Sequence, residues 1–210
     1  MNANIDISNV VLSSERLTLR AFNQNDLMDF YQYASVDGVG QMAGWSPHKS
    51  LEESLDILNK FIEGKHTFAL SYQGKTIGSL GIEKYKEEKY SDFSSLQARE
   101  IGYVLSKDYW GQGLMSEAVK IVTDYLFDIV DLDVIFVGHF VNNKRSQRVI
   151  EKAGFQFLKN DIYQTAFGSI EHNQGRCVWD YTSHILLFVQ YYQKLSDKYR
   201  FSKTENLLFR

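Results

Sequence analysis

The sequence has little cysteine and no long hydrophobic run. Cys177 is the only cysteine among 210 residues, so no internal disulfide can form and no zinc site can be built on several cysteines. Its longest apolar stretches, such as residues 185–189, fall far short of the ~20 residues that a transmembrane helix needs. The first residues also lack the pattern of a signal peptide. We therefore predict a cytoplasmic protein with no membrane partner.

The chain also lacks an excess of either charge. Its 23 Lys and Arg residues are nearly balanced by 26 Asp and Glu, for a formal net charge of −3, so we expect no nucleic-acid partner. Hydrophobic residues make up 44% and aromatic residues 14%, which predicts a folded globular chain. We assign one domain to residues 1–184 and a C-terminal helical extension and tail to 185–210. The apolar stripe of that extension either packs onto the domain or contacts a second subunit, which leaves a homodimer open.

The most informative stretch is residues 99–118, which predicts a strand, a glycine turn and the start of a helix. Aromatic and branched residues at 101–105 suit a buried strand. Gly111 and Gly113 allow positive φ and a close approach of backbone N–H groups to a ligand. Because a helix N-terminus follows, this arrangement predicts a site for phosphate or pyrophosphate.

A Gly-x-Gly turn is weak evidence by itself, since many strand-to-helix turns need glycine for steric reasons. Ser116 stands where a dinucleotide fingerprint has its third glycine, and no Gly-Lys-Ser or Gly-Lys-Thr loop occurs. A phosphate site and a purely structural turn therefore both stay open at this point.

Elsewhere the residue patterns predict alternating strands and helices. The strands are predicted at residues 14–22, 67–72, 75–82, 99–105, 134–141, 155–158 and 175–181. Helices are predicted at 23–35 and 51–62, from Met115 onward, and at 143–153.

Three of these segments resemble, in the same order, the motifs of the GNAT superfamily of acyl-CoA-dependent N-acetyltransferases. They are residues 14–20, 100–118 and 143–155, and the similarity is greatest to the subgroup that acetylates the N-termini of ribosomal proteins. The resemblance implies an α/β (α+β) GNAT fold. Such a fold has a central mixed, mostly antiparallel sheet of six to seven strands flanked by helices, with a V-shaped opening at the central strands for acetyl-CoA.

The resemblance also implies acetyl-CoA as cosubstrate, no metal, and a set of cofactor-binding residues. It assigns the pyrophosphate to the backbone N–H groups of Gly111, Gln112, Gly113, Leu114, Met115 and Ser116. It assigns the pantetheine arm to Tyr103, Val104 and Leu105, and adds Asn143 and Ser146 at the start of the next helix. Three basic residues either form a solvated face or meet the adenosine 3′-phosphate, namely Lys144, Arg145 and Arg148.

Acetyl transfer needs a neutral amine, so a base or a water path must remove a proton. Glu100 is the best candidate for the base, because it shares a strand face with Gly102, whose missing side chain leaves room for an acceptor. The resemblance likewise points to Glu100 as base and to Ser146 as the group near the leaving sulfur, either as an acid or only orienting the thiol. The structural alternatives are a solvent-facing Glu100 and an Asn143 that only caps its helix.

The predicted function is therefore direct, acetyl-CoA-dependent acetylation of a primary amine, either a peptide N-terminus or a small amine. The alternative is a non-catalytic acyl-CoA-binding sensor or assembly module. Glu100 favours the enzyme, because a sensor needs no carboxylate beside the thioester. Trp45, His48 and the loop at 85–93 are candidate contacts for the acceptor.

Overall fold

A computed structural model describes residues 1–162, 165 and 175–180. The strands in these residues are β1 (Val11–Ser13), β2 (Leu17–Ala21), β3 (Thr67–Tyr72), β4 (Lys75–Glu83), β5 (Ala98–Leu105), β6 (Val134–Phe140), β7 (Gln156–Ile162) and β8 (Gly175–Asp180). The α-helices in the same residues are α1 (Leu27–Ala34), α2 (Leu51–Gly64), α3 (Leu114–Asp128) and α4 (Lys144–Lys152).

The described strands form one mixed sheet in the order β1-β2-β3-β4-β5-β6-β8-β7. Only the β5–β6 pair is parallel, and every other described pair is antiparallel. The predicted fold class is thereby confirmed. The sheet has one strand more than the upper expected number, because β1 has only three residues and is too short to leave an alternating pattern in the sequence.

Helices cover both faces of the sheet. Leu70 on β3 packs in the cluster that contains the apolar face of α3, whereas the adjacent Ala69 packs in the cluster with α1 and α2. Neighbouring residues on a strand point to opposite faces, so the two clusters lie on opposite sides of the sheet. This sandwich fixes the starts of α3 and α4 relative to the central strands.

The central strands β5 and β6 pair over only part of their length. Their parallel register runs from Ala98 opposite Val134 to Ile101 opposite Val137. Beyond that point β6 pairs with β8, and β5 pairs with β4 as far as Leu105. The facing edges of β5 and β6 therefore diverge from Gly102 onward, which produces the predicted V-shaped opening.

The predicted C-terminal extension at 185–210 lies outside the described residues. The assignment of the domain to 1–184 and of the extension to 185–210 therefore stays a prediction, as does a homodimer contact through the extension. Within the part of the chain that the structure describes, no helix is both long enough and apolar enough to span a membrane.

Candidate active site

The opening between β5 and β6 holds a cleft of about 330 Å3. Its walls come from the end of β5, the turn before α3, the first turn of α3, one side of α4, and the segment around Met42. Most of the predicted cofactor residues line it, namely Tyr103, Val104, Leu105, Gly111, Gly113, Leu114, Met115, Ser116, Asn143 and Ser146. Gln112 and Glu100 are not among the lining residues.

The turn before α3 has the geometry of an anion cradle. Gly111 and Gly113 have φ angles of 77° and 78°, in the left-handed region that favours glycine. A Cβ at Gly111 would meet no atom within 4 Å, so a ligand can approach the backbone closely. Gly113 caps α3 without a side-chain hydrogen bond. The first N–H groups of α3 are thus uncapped by a side chain and fit a phosphate or pyrophosphate.

The side chains that follow the turn do not block it. Leu114 and Met115 are both buried in the main core, so these two side chains pack into the protein. Gln112 is exposed, and its amide Nε2 donates to the carbonyl of Asp108 at 3.1 Å. At Gln112 only the backbone is therefore suited to the predicted role.

Arg16, the residue before β2, supports this turn. Its Nη1 donates to the Gln112 carbonyl at 3.0 Å, and its Nε donates to Glu117 Oε2 at 2.8 Å. Ser14 also hydrogen-bonds the Glu117 carboxylate. Burial tends to raise the pKa of Glu117, but the hydrogen bonds from Ser14 and Arg16 outweigh it and lower the pKa. These contacts of Arg16 form a brace between the start of the chain and the turn. They were not predicted from the sequence, because no pattern near residue 16 indicates partners at residues 112 and 117.

Trp110 connects the two walls of the cleft. Its indole Nε1 donates to the Leu105 carbonyl at 2.8 Å, which ties the turn before α3 to the end of β5 beside the predicted pantetheine contacts. The guanidinium carbon of Arg145, on α4, lies 4.6 Å from the centroid of the Trp110 ring. This is a cation–π distance, and it holds Arg145 over the cleft.

The positive charge of the cleft comes mainly from α4. Arg145, Arg148 and Lys152 line the cleft, which favours a polyanionic ligand. Lys144 is not among the lining residues, and its Nζ donates to Gln147 Oε1 at 3.1 Å. Of the three basic residues considered from the sequence, two are therefore placed for phosphate binding, and Lys152 was not foreseen.

Asn143, Ser146 and Tyr103 are linked at the start of α4. Asn143 Oδ1 accepts from Ser146 N at 3.1 Å, so Asn143 does cap the helix, while its Nδ2 donates to the Met42 carbonyl at 3.3 Å. The Tyr103 hydroxyl lies 2.9 Å from Ser146 Oγ. Burial raises the pKa of Tyr103 strongly, and the hydrogen bond with Ser146 opposes this only in part. The phenol therefore stays neutral at physiological pH.

Glu100 lies where the opening begins rather than in its wall. It is half-buried and opposite Phe136, one residue before the last β5–β6 pair. Gly102, on the same face of β5, is exposed, and a Cβ there would meet no atom within 4 Å. On the neighbouring strand β4, Glu83 lies directly opposite Glu100, and Glu83 Oε2 is 3.2 Å from His66 Nε2. Two carboxylates thus flank an open surface.

The candidate acceptor contacts require one correction. His48 is buried, its Nδ1 lies 2.7 Å from Ser54 Oγ, and its ring centroid is 5.3 Å from that of Phe30. Burial lowers the pKa of His48, and Glu53 opposes this effect. His48 is therefore a core residue that joins α1 to α2, and its assignment as an acceptor contact is wrong.

The loop at 85–93 is held against the sheet. Tyr85 and Tyr90 are buried, with ring centroids 5.0 and 4.6 Å from that of Phe136. Asn2 Nδ2 donates to the Tyr85 carbonyl at 3.1 Å and to Glu87 Oε1 at 2.8 Å. Only the exposed side chains of this loop thus remain candidates for acceptor contacts.

Among the described residues, no group of three or more His, Cys, Asp or Glu side chains is arranged to hold a metal ion.

Comparison with known proteins defines the class. The profile of the acetyltransferase (GNAT) domain matches residues 16–156. A Bacillus subtilis protein named "Probable N-acetyltransferase YjcK" is 48% identical over 143 residues, which are 68% of this chain and 74% of that protein. The chain therefore belongs to the GNAT acetyltransferase family and is an enzyme of the N-acetyltransferase class, as the sequence motifs predict.

Solved structures agree on the fold. The ribosomal-protein-S5-alanine acetyltransferase from Vibrio fischeri superimposes with a TM-score of 0.61 at 19% identity, over 82% of this chain and 96% of that one. The spermidine N-acetyltransferase from Vibrio cholerae, in complex with CoA and spermine, gives a TM-score of 0.64 at 19% identity, over 80% and 95% of the two chains. At such identities the likeness extends to the fold alone.

Proposed function

We propose that the protein transfers the acetyl group of acetyl-CoA directly to a primary amine. The observation that carries the proposal is the opening between β5 and β6, because it joins an anion cradle at one end to Glu100 at the other. Acetyl-CoA supplies the activated acyl group as a thioester. We propose the cytoplasm as its compartment, which the single cysteine supports.

The cofactor-binding role of the cleft is supported by charge and shape. The N–H groups at Gly113–Ser116 suit the pyrophosphate, and Arg145, Arg148 and Lys152 suit the remaining phosphate. The pantetheine arm would run beside Tyr103 and Val104, where the edge of β5 has left β6. The family resemblance also implies Leu105 for the arm and the backbone N–H groups of Gly111 and Gln112 for the pyrophosphate, and we add Lys152 to its basic residues.

Glu100 is the proposed base. An amine reaches the site mostly as an ammonium ion and must lose one proton before its nitrogen can attack the thioester carbon. The proton passes to the Glu100 carboxylate, directly or through a water, and from there to solvent. The new C–N bond forms as the C–S bond breaks, and the sulfur leaves with the electron pair beside Ser146. The acylated nitrogen then loses its second proton to solvent, and solvent returns one proton to the thiolate.

The acceptor is proposed only as a primary amine on a peptide N-terminus or a small molecule. Proteins named for each kind of acceptor share the fold, one as a ribosomal-protein acetyltransferase and the other as a spermidine acetyltransferase. Glu83 and Glu100 flank the open surface at Gly102, which suits a positively charged acceptor.

The test is release of free CoA thiol from acetyl-CoA, with the purified protein and a panel of acceptors. The panel contains spermidine, simple alkylamines, and peptides that begin with Ala or Ser. Release that depends on one acceptor class would support the enzyme and identify its substrate. No release with any acceptor, while calorimetry shows tight binding of acetyl-CoA, would overturn transfer in favour of a non-catalytic acyl-CoA sensor.

A further inference from the structure

We propose that Tyr103 is a positioning residue that acts through Ser146, so that the serine hydroxyl points its proton at the departing sulfur of CoA. The inference rests on the proposed function. Tyr103 projects from β5 into the cleft, and its hydroxyl lies 2.9 Å from Ser146 Oγ and 3.3 Å from the Ser146 carbonyl. A serine hydroxyl has one proton and two lone pairs. If Tyr103 donates to one lone pair, the serine proton is left for another acceptor.

The surroundings of Ser146 hold it for this task. The backbone N–H of Ser146 is fixed by Asn143 Oδ1 at 3.1 Å, and Asn143 is itself tied to the Met42 carbonyl at 3.3 Å. The serine is thus fixed through its backbone by Asn143 and through its side chain by Tyr103. Both Ser146 and Tyr103 line the cleft.

Tyr103 is suited to be a fixed donor rather than an acid. Burial raises the pKa of its phenol, so loss of its proton is disfavoured throughout the reaction. In the step we propose, sulfur leaves with the electron pair of the C–S bond and accepts a hydrogen bond from Ser146. The thiolate takes its final proton from solvent, and both hydroxyls keep theirs. No oxidant, reductant or further reactant is needed.

Tyr103 and Glu100 lie on opposite faces of β5, since they are three residues apart on one strand. The proposed base and the proposed leaving-group donors are therefore separated by the strand itself. This arrangement lets the amine approach on the Glu100 face while the sulfur faces α4.

The decisive experiment titrates the thiol of bound CoA, which requires no acceptor. The ultraviolet absorbance of the thiolate is followed against pH, with the desulfo-CoA complex as the blank. We expect Tyr103→Phe and Ser146→Ala each to raise the pKa of the bound thiol by about one unit relative to the unaltered protein. The double variant should match Ser146→Ala, because Tyr103 acts through the serine. Tyr125→Phe is the matched control, since Tyr125 is a partly buried tyrosine on α3 packed against the same core.

Turnover with the best acceptor of the panel gives the second readout. Tyr103→Phe should lower kcat by about tenfold, with no further loss when it is added to Ser146→Ala. Two results would overturn the inference and leave the proposed function standing. One is a loss of kcat in the double variant equal to the product of the two single losses. The other is an unshifted thiol pKa in Tyr103→Phe. Absence of turnover by the unaltered protein would overturn the proposed function, and the inference with it.

Discussion

Glu83 on β4 and Glu100 on β5 lie directly opposite each other in the antiparallel register of the two strands. Like charges in such a pair repel each other, and His66, 3.2 Å from Glu83, offsets this repulsion only when it is protonated. The next pair on the same face, two residues along each strand, is Gly81 opposite Gly102. Gly102 is exposed, whereas the Glu83 carboxylate lies over the buried Gly81. A cationic amine that docks at Gly102 would therefore relieve the repulsion while it presents its nitrogen to a carboxylate.

The first prediction separates the two carboxylates. Glu100→Gln should lower kcat by about 100-fold and leave the Kd of acetyl-CoA unchanged, because it removes the base and keeps the shape. Glu83→Gln is the matched variant, and it should raise the acceptor KM while kcat is largely retained. Steady-state kinetics with varied acceptor and calorimetry with acetyl-CoA measure these effects. If Glu83→Gln lost about 100-fold in kcat while Glu100→Gln stayed fully active, Glu83 would be the base.

The second prediction concerns the anion cradle. Gly113→Val should weaken acetyl-CoA binding at least tenfold, because it places a branched side chain at φ 78° beside the first N–H groups of α3. Gly74→Val is the control, since Gly74 also has a positive φ, of 81°, but lies in the β3–β4 turn away from the cleft. The control should lose thermal stability and keep its affinity for acetyl-CoA. Equal affinities of the two variants by calorimetry would refute the cradle.

Local patterns predicted the elements that carry the site, and they did so for physical reasons. The β5–turn–α3 unit is contiguous in sequence. The strand pattern, the glycines and the apolar stripe of the helix therefore support the same prediction. Asn143 and Ser146 were found in the same way, within a single helix start. Each of these predictions depends on one short continuous segment of the chain, within which residue type largely determines the local geometry.

Contacts between distant segments could not be predicted. The brace from Arg16 to Gln112 and the bond from Asn143 to Met42 each join residues roughly 100 positions apart, and no local period records them. His48 was misread because its loop position suggested exposure, whereas the packing of α1 on α2 buries it. Glu83 opposite Glu100 depends on the register of β4 with β5, which became known only from the fold.

The third prediction tests the acceptor surface. Gly102→Val should raise the acceptor KM by about tenfold or more and leave acetyl-CoA affinity intact, because the new side chain would fill the open face beside Glu100. Valine is favoured in strands, so the fold should tolerate it, and Gly102→Ala should give a smaller effect of the same kind. Varied-acceptor kinetics measure the KM, and thermal unfolding checks the fold. An unchanged KM in the valine variant would place the acceptor elsewhere.

The last prediction concerns stability and its dependence on pH. Asp26 is buried and accepts from Arg20 at 2.7 and 2.8 Å and from Thr76 at 2.6 Å. Burial tends to raise the pKa of Asp26, but the hydrogen bonds from Arg20, Thr76 and the backbone of Asn23 outweigh it and lower the pKa. A lowered folded-state pKa means that the carboxylate stabilises the fold above its unfolded pKa of about 3.9. That stabilisation is lost as the pH falls through the folded pKa.

Asp26→Asn should therefore lower the free energy of unfolding by about 3 kcal/mol at pH 7, because it leaves the Arg20 guanidinium without its charged partner. The deficit relative to the unaltered protein should shrink as the pH falls below about 4. Urea unfolding at several pH values measures both effects, and Asp56→Asn, at an exposed position on α2, is the control that should change little. A deficit that stays constant from pH 7 to well below the unfolded pKa would mean that the charge of Asp26 does not contribute, and that only its shape and hydrogen bonds hold β2 to the start of α1.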